Sequence, residues 1–269
     1  MNQPLLSRRQ MLKASASTLI AAGLWPGALQ AQDAAAPDFD FICANDLHFI
    51  DPSDIPFLQN TVTKMKQASP NAKVVLVAGD LCENGTPVQL DGMKEILKTI
   101  GLPYHVVMGN HDWTTQTDRK AYEERYPNSI NYTFEQYGWQ ILALDSSQGV
   151  DWQNTAIQKP TLDWLDENLP KLDKRRPMIV FTHFPLGEGV QYRVTNPDAM
   201  LDRLKPFNLR AIFNGHFHGY TERTRGDWLI TTNRCCARQR ENHDGTKEKG
   251  FFACKARDGK IIREFVQVA

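Results

Sequence analysis

The sequence of 269 residues has no excess of either charge: 31 Lys and Arg match 31 Asp and Glu. That balance argues against a dedicated nucleic-acid binder, which needs a basic surface. It also lacks any apolar run near the ~20 residues that a spanning helix requires, which excludes a multi-span membrane protein. Cysteine is scarce; five are too few for a disulfide scaffold, and the odd number leaves at least one unpaired within the chain. No internal repeat and no Gly-, Ser- or Pro-rich linker divides residues 38–269, so one domain is expected there. What is present is a core-forming composition. Hydrophobic residues make up 41% and aromatics 10%, enough to rule out a disordered chain.

The first 31 residues read as an address. Ser7-Arg8-Arg9-Gln10-Met11-Leu12-Lys13 precedes a modest apolar stretch from Ala14 to Trp25, and small residues lead to Ala31. The segment resembles a twin-arginine export signal: paired arginines, an apolar residue two places on, a weak hydrophobic region and a cleavage site. The resemblance implies the twin-arginine export machinery as a partner, a periplasmic or otherwise exported location, and no membrane span in the mature form. An amphipathic helix or uncleaved anchor is the alternative, but the segment has no acid and its apolar part is short. Residues 32–37 read as a leader. Removal of residues 1–31 takes away Arg8, Arg9 and Lys13, leaving 28 basic against 31 acidic residues, a formal −3.

Short apolar runs recur through the remainder: Phe39–Ala44, Val74–Ala78, Tyr104–Met108, Ile141–Leu144, Met178–Phe181, Ala211–Phe213 and Trp228–Ile230. Most are rich in Val, Ile and Phe, as buried strands are. Ile55, Leu58, Val62 and Met65 have helical spacing, with Pro56 in the first turn and Ser53 or Asp54 as the expected N-cap. Leu90, Met93, Ile96, Leu97 and Ile100 form a second stripe, with Gly101 as the expected C-cap. Thr161–Leu169 offers a third helix. Strand–helix–strand–helix–strand implies parallel pairing at the start. Trp228–Thr232 and Gly250–Cys254 read as adjacent strands joined by a polar loop, and Ile261–Val268 follows the Asp258-Gly259 turn. A second, more antiparallel sheet is therefore expected.

Each of five strand ends carries metal-binding chemistry. Asp46-Leu47-His48 follows the first strand, Gly79-Asp80 the second, and Gly109-Asn110-His111-Asp112 the third. His183 follows Met178–Thr182, and Gly215-His216-Phe217-His218 follows Ala211–Asn214. Ligands in α/β sheets bind at the carboxyl ends of strands, so these residues should converge. Carboxylate and imidazole without thiolate suit two ions of Mn, Fe or Zn. In an extended segment, Asp-x-His and His-x-His would put two ligands on one side.

These blocks, D-x-H, G-D, G-N-H-D, a lone His and G-H-x-H, resemble those of the calcineurin-like dinuclear metallophosphoesterases. All five are present and in order, from about Asp38 onward. The resemblance implies an α/β (α+β) fold in which a two-sheet β-sandwich is flanked by helices. It implies two divalent or mixed-valence ions: Asp46, His48 and His218 on the first, Asn110, His183 and His216 on the second, Asp80 bridging. His111 would act as general acid or transition-state stabiliser, oriented by Asp112. The implied reaction is hydrolysis of a small phosphoester by attack of a hydroxide bound to both metals, with ions ~3.5–4 Å apart. Gly79-Asp80-Leu81-Cys82-Glu83-Asn84-Gly85 resembles the bacterial phosphodiesterase branch, although that branch often has Asp where Glu83 stands. The purple-acid branch has tyrosine at that position, so a tyrosinate-bound ferric site is not expected. A phosphomonoesterase with the same site is the alternative. A non-catalytic metal- or partner-binding module is another, but it would be expected to have lost ligands, and none is missing.

Other features have plainer readings. His105 lies within a strand and is expected to be structural. Asn84 and Gly85 read as a turn. Asp112 could equally cap a loop. Lys171–Arg176 reads as a solvated loop framed by Pro170 and Pro177. The segment Arg234-Cys235-Cys236-Ala237-Arg238-Gln239-Arg240, with His243-Asp244-Gly245, either overhangs the metal site and supplies a phosphate-binding arginine, or is a mobile polar hairpin. Cys235 or Cys236 could pair with Cys254, whereas Cys43 and Cys82 are expected to be buried thiols.

Overall fold

Every apolar run singled out above forms a strand, with only Met108 falling just beyond its end. A computed structural model describes residues 36–269; the expected export segment 1–31 and leader residues 32–35 lie outside the described residues. The strands are β1 (Phe39–Ala44), β2 (Ala72–Ala78), β3 (Tyr104–Val107), β4 (Tyr132–Gln136), β5 (Trp139–Leu144), β6 (Met178–Thr182), β7 (Leu209–Asn214), β8 (Thr221–Arg225), β9 (Trp228–Thr232), β10 (Gly250–Arg257) and β11 (Lys260–Gln267). The helices are α1 (Ile55–Ala68), α2 (Pro87–Lys98), α3 (Lys120–Arg125), α4 (Lys159–Asn168) and α5 (Pro197–Leu204).

Two mixed sheets result. One has the order β11-β10-β1-β2-β3 and the other β4-β5-β6-β7-β9-β8. The strands are apolar on both faces because both faces are covered. Phe41, Cys43, Leu76 and Val107 meet Ile141, Phe181 and Phe213 in the layer between the sheets. Ile42, Val75 and Val77 face outward onto Leu58, Val62, Leu90 and Met93 of α1 and α2. Leu142, Val180 and Ile212 face outward onto Leu165 of α4 and Met200 and Leu201 of α5. The fold is thus helix, sheet, sheet, helix, as the resemblance implies. Among the described residues no helix is long and apolar enough to cross a membrane.

The C-terminal strands depart from the sequence reading. β9 and β10 are not neighbours: β9 pairs with β7 and β8, whereas β10 pairs with β1 and β11. Residues 233–249 therefore cross from one sheet to the other. Nor is the second sheet mainly antiparallel. Its interior pairs β5–β6, β6–β7 and β7–β9 are parallel, and the antiparallel pairs lie at its two margins. Local sequence marks a strand, but its neighbour is decided by distant residues.

Capping also differs in detail. Asp54 stands at the N-cap position of α1, one of the two expected, but its side chain makes no capping bond to the helix. A short turn, Pro52–Asp54, precedes the helix; Asp51 accepts from Ser53 N at 2.7 Å, and Asp54 accepts from Ile50 N at 2.8 Å. α2 ends at Lys98 with Thr99 as its cap, and Gly101 takes φ +73° beyond it. All five cysteines are buried and free, so neither Cys235 nor Cys236 pairs with Cys254.

Candidate metal centre

The loops after β1, β2, β3, β6 and β7 converge at one end of the sandwich. Asp46, His48, Asp80, Asn110, His183, His216 and His218 meet there, none more than 7% exposed. Asp46, His48, Asp80 and His218 form one group of possible metal donors; Asp80, His183 and His216 form the other, so Asp80 belongs to both.

The ligand pairs do not use the pleat of an extended strand. Asp46, His48, Asp80, His216 and His218 all have positive φ, between +45° and +65°. Such a conformation costs an ordinary L residue roughly 1–2 kcal/mol, and it clusters at functional sites. Backbone contacts hold it. Leu47 N and His48 N both donate to Asp80 O, at 2.9 and 3.0 Å, and Asp46 N donates to Gly79 O at 3.0 Å. Gly109 permits the closest approach, since a Cβ there would lie 2.1 Å from Asp80 Oδ1.

The histidine rings are aimed by their outer nitrogens. His48 Nδ1 donates to Glu83 Oε2 at 3.0 Å, His183 Nδ1 to Ala78 O at 2.9 Å, His216 Nε2 to Trp152 O at 2.8 Å, and His218 Nδ1 to Glu241 O at 3.0 Å. Each ring's remaining nitrogen then faces inward. His48 Nε2 lies 3.2 Å from His218 Nε2, and His183 Nε2 lies 3.2 Å from Asn110 Oδ1 and 3.3 Å from Asp80 Oδ2. Asp46 Oδ1 is 3.1 Å from His218 Nε2, and Asp80 Oδ2 is 3.5 Å from His48 Nε2. Buried lone pairs and carboxylates facing one another need positive charge between them. The donor set fits Mn, Fe or Zn, and the oxygens behind the rings are the outer-shell partners that metal-binding histidines use.

The electrostatics express the same demand. Burial opposes charge on His183, but Asp80 and Asp46 outweigh it and raise its pKa to about 9. His218 is likewise raised, against burial, chiefly by Asp46. Asp46 and Asp80 are held below the usual carboxylate range by their imidazole neighbours despite burial. His216 goes the other way: burial, reinforced by the charge on His183, lowers it to about 3.

His111 stands at the mouth, its side chain 26% exposed. Its Nδ1 donates to Glu83 O at 2.7 Å, and its ring lies edge-on to His48 with centroids 4.8 Å apart. Asp112 is not its ring's partner. The Asp112 carboxylate accepts from Leu81 N, Cys82 N and Gly109 N at 2.8, 3.1 and 2.9 Å, clamping the two loops together. Burial and the charge on Asp80 push Asp112 up to about 7 against those bonds. The backbone of Glu83 thus does the orienting that the resemblance gives to Asp112.

A cavity of about 480 Å³ opens over the centre, and Trp152, Tyr192, Arg240 and His243 line it beside the metal-binding residues. Arg240 and His243 come from the segment expected to overhang the site, whereas no motif marks Trp152 or Tyr192. Glu83 also escaped the sequence reading except as a departure from the family pattern. Among the arginines of segment 233–249, Arg234 is turned away: it bonds Thr246 Oγ1 at 2.9 Å and overlies Phe265. His105 is stacked on Phe134 at 3.6 Å, with burial lowering its pKa to about 4. Gly85 makes the expected turn at φ +59°, while Asn84 lines the cavity.

The sequence profile described as calcineurin-like phosphoesterase matches residues 39–220. Among curated proteins, the probable glycerophosphodiester phosphodiesterase GpdQ of Arcobacter nitrofigilis is 26% identical over 172 residues, 60% of this chain and 62% of that protein. A probable cyclic nucleotide phosphodiesterase of Psychrobacter arcticus is 30% identical over 175 residues, 59% of this chain and 60% of that protein. The chain therefore spans about three fifths of the length of these relatives. Among solved structures, the purple acid phosphatase PPD1 of yellow lupin superposes with TM-score 0.66 at 15% identity, covering 87% of this chain and 52% of that one, a likeness of fold.

Proposed function

The chain belongs to the calcineurin-like phosphoesterase family, and from that premise we propose that it is a metal-dependent phosphodiesterase. The observation that carries this reading is the 3.2 Å approach of two buried imidazole nitrogens, His48 Nε2 and His218 Nε2, beside Asp46 and Asp80. Asp46, His48 and His218 would hold one ion, Asn110, His183 and His216 a second, and Asp80 both. Bound there, such ions supply charge neutralisation at the phosphoryl group and an acidified water as nucleophile.

The chain's own residues do the rest. His111 is tied through Nδ1 to the Glu83 carbonyl and turns Nε2 to the cavity; as the doubly protonated imidazolium it would give its Nε2 proton to the departing alkoxide and be left neutral, with Nδ1–H still on Glu83. A positioned acid of this kind contributes roughly 10²–10⁴-fold. Burial takes the Asp46 and Asp80 carboxylates out of bulk solvent, which strengthens their charge interactions at the centre. The names of the curated relatives favour a diester substrate over a monoester. Paired assays with bis(p-nitrophenyl) phosphate and p-nitrophenyl phosphate test the choice. A higher kcat/KM for the diester is expected. The reverse ratio would make the protein a phosphomonoesterase, and hydrolysis of neither by the metal-loaded protein would make it a binding module.

The N-terminal pattern around Arg8 and Arg9 supports export by the twin-arginine route and a periplasmic location, with residues 38–269 as the mature enzyme domain. Substrates would then be small diesters outside the cytoplasm. Cell fractionation of the chain and its Arg8→Lys, Arg9→Lys variant tests this; equal export of both would refute it.

A further inference from the structure

We propose that Arg240 is the residue that grips a non-bridging oxygen of the substrate phosphodiester, and that Glu83 positions it. This rests on the phosphodiesterase reading above and adds a specificity-determining residue outside all five metal motifs. Among the described residues lining the 480 Å³ cavity, Arg240 is the one Arg or Lys. Its Nε donates to Glu83 Oε2 at 2.9 Å and its Nη2 to Glu83 Oε1. Its Nη2 also lies 3.3 Å from His111 Nε2, whereas Nη1 has no partner among the described residues. One edge of the fork is therefore fixed, and the guanidinium lies beside the proposed proton donor.

The segment that carries Arg240 is built for placement. The Arg240 carbonyl accepts from Lys249 Nζ, and the next carbonyl, that of Glu241, accepts from His218 Nδ1 at 3.0 Å. Asn242 then accepts from Cys235 N at 3.1 Å and donates to Glu248 O at 2.8 Å. Glu83 joins the two halves of the site, since its carboxylate receives both His48 Nδ1 and the Arg240 fork. A part-exposed ion pair alone contributes little to stability. A pre-aimed guanidinium, by contrast, suits a phosphate oxygen in geometry and charge. A non-bridging phosphodiester oxygen can accept from the Nη1 edge that the Glu83 pairing leaves open.

The test compares Arg240→Ala, Arg240→Lys and Arg234→Ala with the parent protein, all metal-loaded. Three quantities are read: kcat and KM for bis(p-nitrophenyl) phosphate, metal content, and calorimetric affinity for dimethyl phosphate, which needs no turnover. Arg240→Ala should raise KM and weaken dimethyl phosphate binding about 10- to 100-fold, the range for a charge-assisted hydrogen bond. Its metal content should stay unchanged. Arg240→Lys should recover part of the loss, restoring charge without the fork, and it carries the test if the alanine variant does not fold. Arg234→Ala should leave both readings at parent values.

Unchanged KM and unchanged dimethyl phosphate affinity in Arg240→Ala would overturn the inference while leaving the phosphodiesterase reading intact. Equal losses in Arg240→Ala and Arg234→Ala would also overturn it, because the segment as a whole would then be responsible. If the parent binds dimethyl phosphate through Arg240 but hydrolyses no diester, the anion grip stands and the phosphodiesterase reading falls. If the parent neither binds nor hydrolyses, both fall.

Discussion

Replacing Gly109 by alanine changes no charge and removes no donor, yet it should disable the centre. The added Cβ would lie 2.1 Å from Asp80 Oδ1 and 2.5 Å from Asp80 N, where ordinary contact begins at 3.4 Å. Backbone as well as side chain is in the way, so something must move by about 1 Å. Asp80 cannot yield alone: its Oδ1 accepts from His111 N at 2.9 Å, and its carbonyl accepts from Leu47 N and His48 N. A shift of Asp80 is therefore a shift of the loops that carry Asp46, His48 and His111. Overpacking of this kind costs roughly 1–3 kcal/mol, and a misplacement of ~1 Å at reacting groups costs on the order of 10²-fold in rate. Gly109 has φ −108° in an ordinary region, so the effect is steric rather than conformational. Elemental analysis, thermal unfolding and kcat/KM on bis(p-nitrophenyl) phosphate should show lowered metal content, a lower Tm and about 100-fold less activity. Gly101→Ala is the control: φ is +73° and nothing lies within 4 Å. It should cost roughly 1–2 kcal/mol in stability and nothing in rate. Parent-level metal content and kcat/KM in Gly109→Ala would refute the reasoning.

Three further outcomes follow from the same geometry. Asp80→Ala should abolish metal content and activity together, whereas His111→Ala should keep the metals and lose roughly 10²–10⁴-fold in kcat; full activity in a metal-loaded His111→Ala protein would sink the general-acid role. Asp112→Ala strands three buried backbone N–H groups, of Leu81, Cys82 and Gly109. At about 1–3 kcal/mol for each buried group left unpaired, and ~2–4 °C per kcal/mol in a domain of this size, Tm should drop by at least about 6 °C; an unchanged Tm would contradict the clamp. His105 has its pKa lowered from 6.5 to about 4 on folding, so over that window the unfolded chain binds a proton that the folded chain refuses. Stability should fall as pH drops from 6.5 to 4, by on the order of 1 kcal/mol after allowance for the ring's partial exposure. His105→Phe, which keeps a ring against Phe134, should flatten that part of the Tm–pH curve, and identical curves would refute the assignment.

Most of the donor set was legible because each donor sits within a few residues of a strand end. Asp46 and His48, Asn110 and His111, and His216 and His218 each announce themselves as a pair, and a glycine marks the close approach at Asp80, Asn110 and His216. The helix and strand runs were legible for a similar reason, since buried layers demand continuous apolar residues. What escaped depends on long-range pairing. β10 is drawn to β1, so Phe41 meets Cys254 across 213 positions in register, and no local pattern distinguishes that from a hairpin with β9. Glu83 and Arg240 each stand in a segment that the sequence marks, but they are 157 residues apart, and nothing local pairs the one with the other. Strand alternation does not bring Asp46 to His48 or His216 to His218; strained left-handed backbone does. That strain is imposed by hydrogen bonds from loops elsewhere in the chain, such as those of Leu47 and His48 to Asp80.

The central claim is that the buried Asp, Asn and His residues hold two ions and that phosphodiester hydrolysis depends on them. Protein stripped with a chelator should be inactive toward bis(p-nitrophenyl) phosphate. Titration with Mn²⁺, Fe²⁺ or Zn²⁺ should restore hydrolysis, reaching its plateau at two bound equivalents per chain by elemental analysis. Activity that survives complete chelation, or that stays absent with two equivalents bound, would contradict the account.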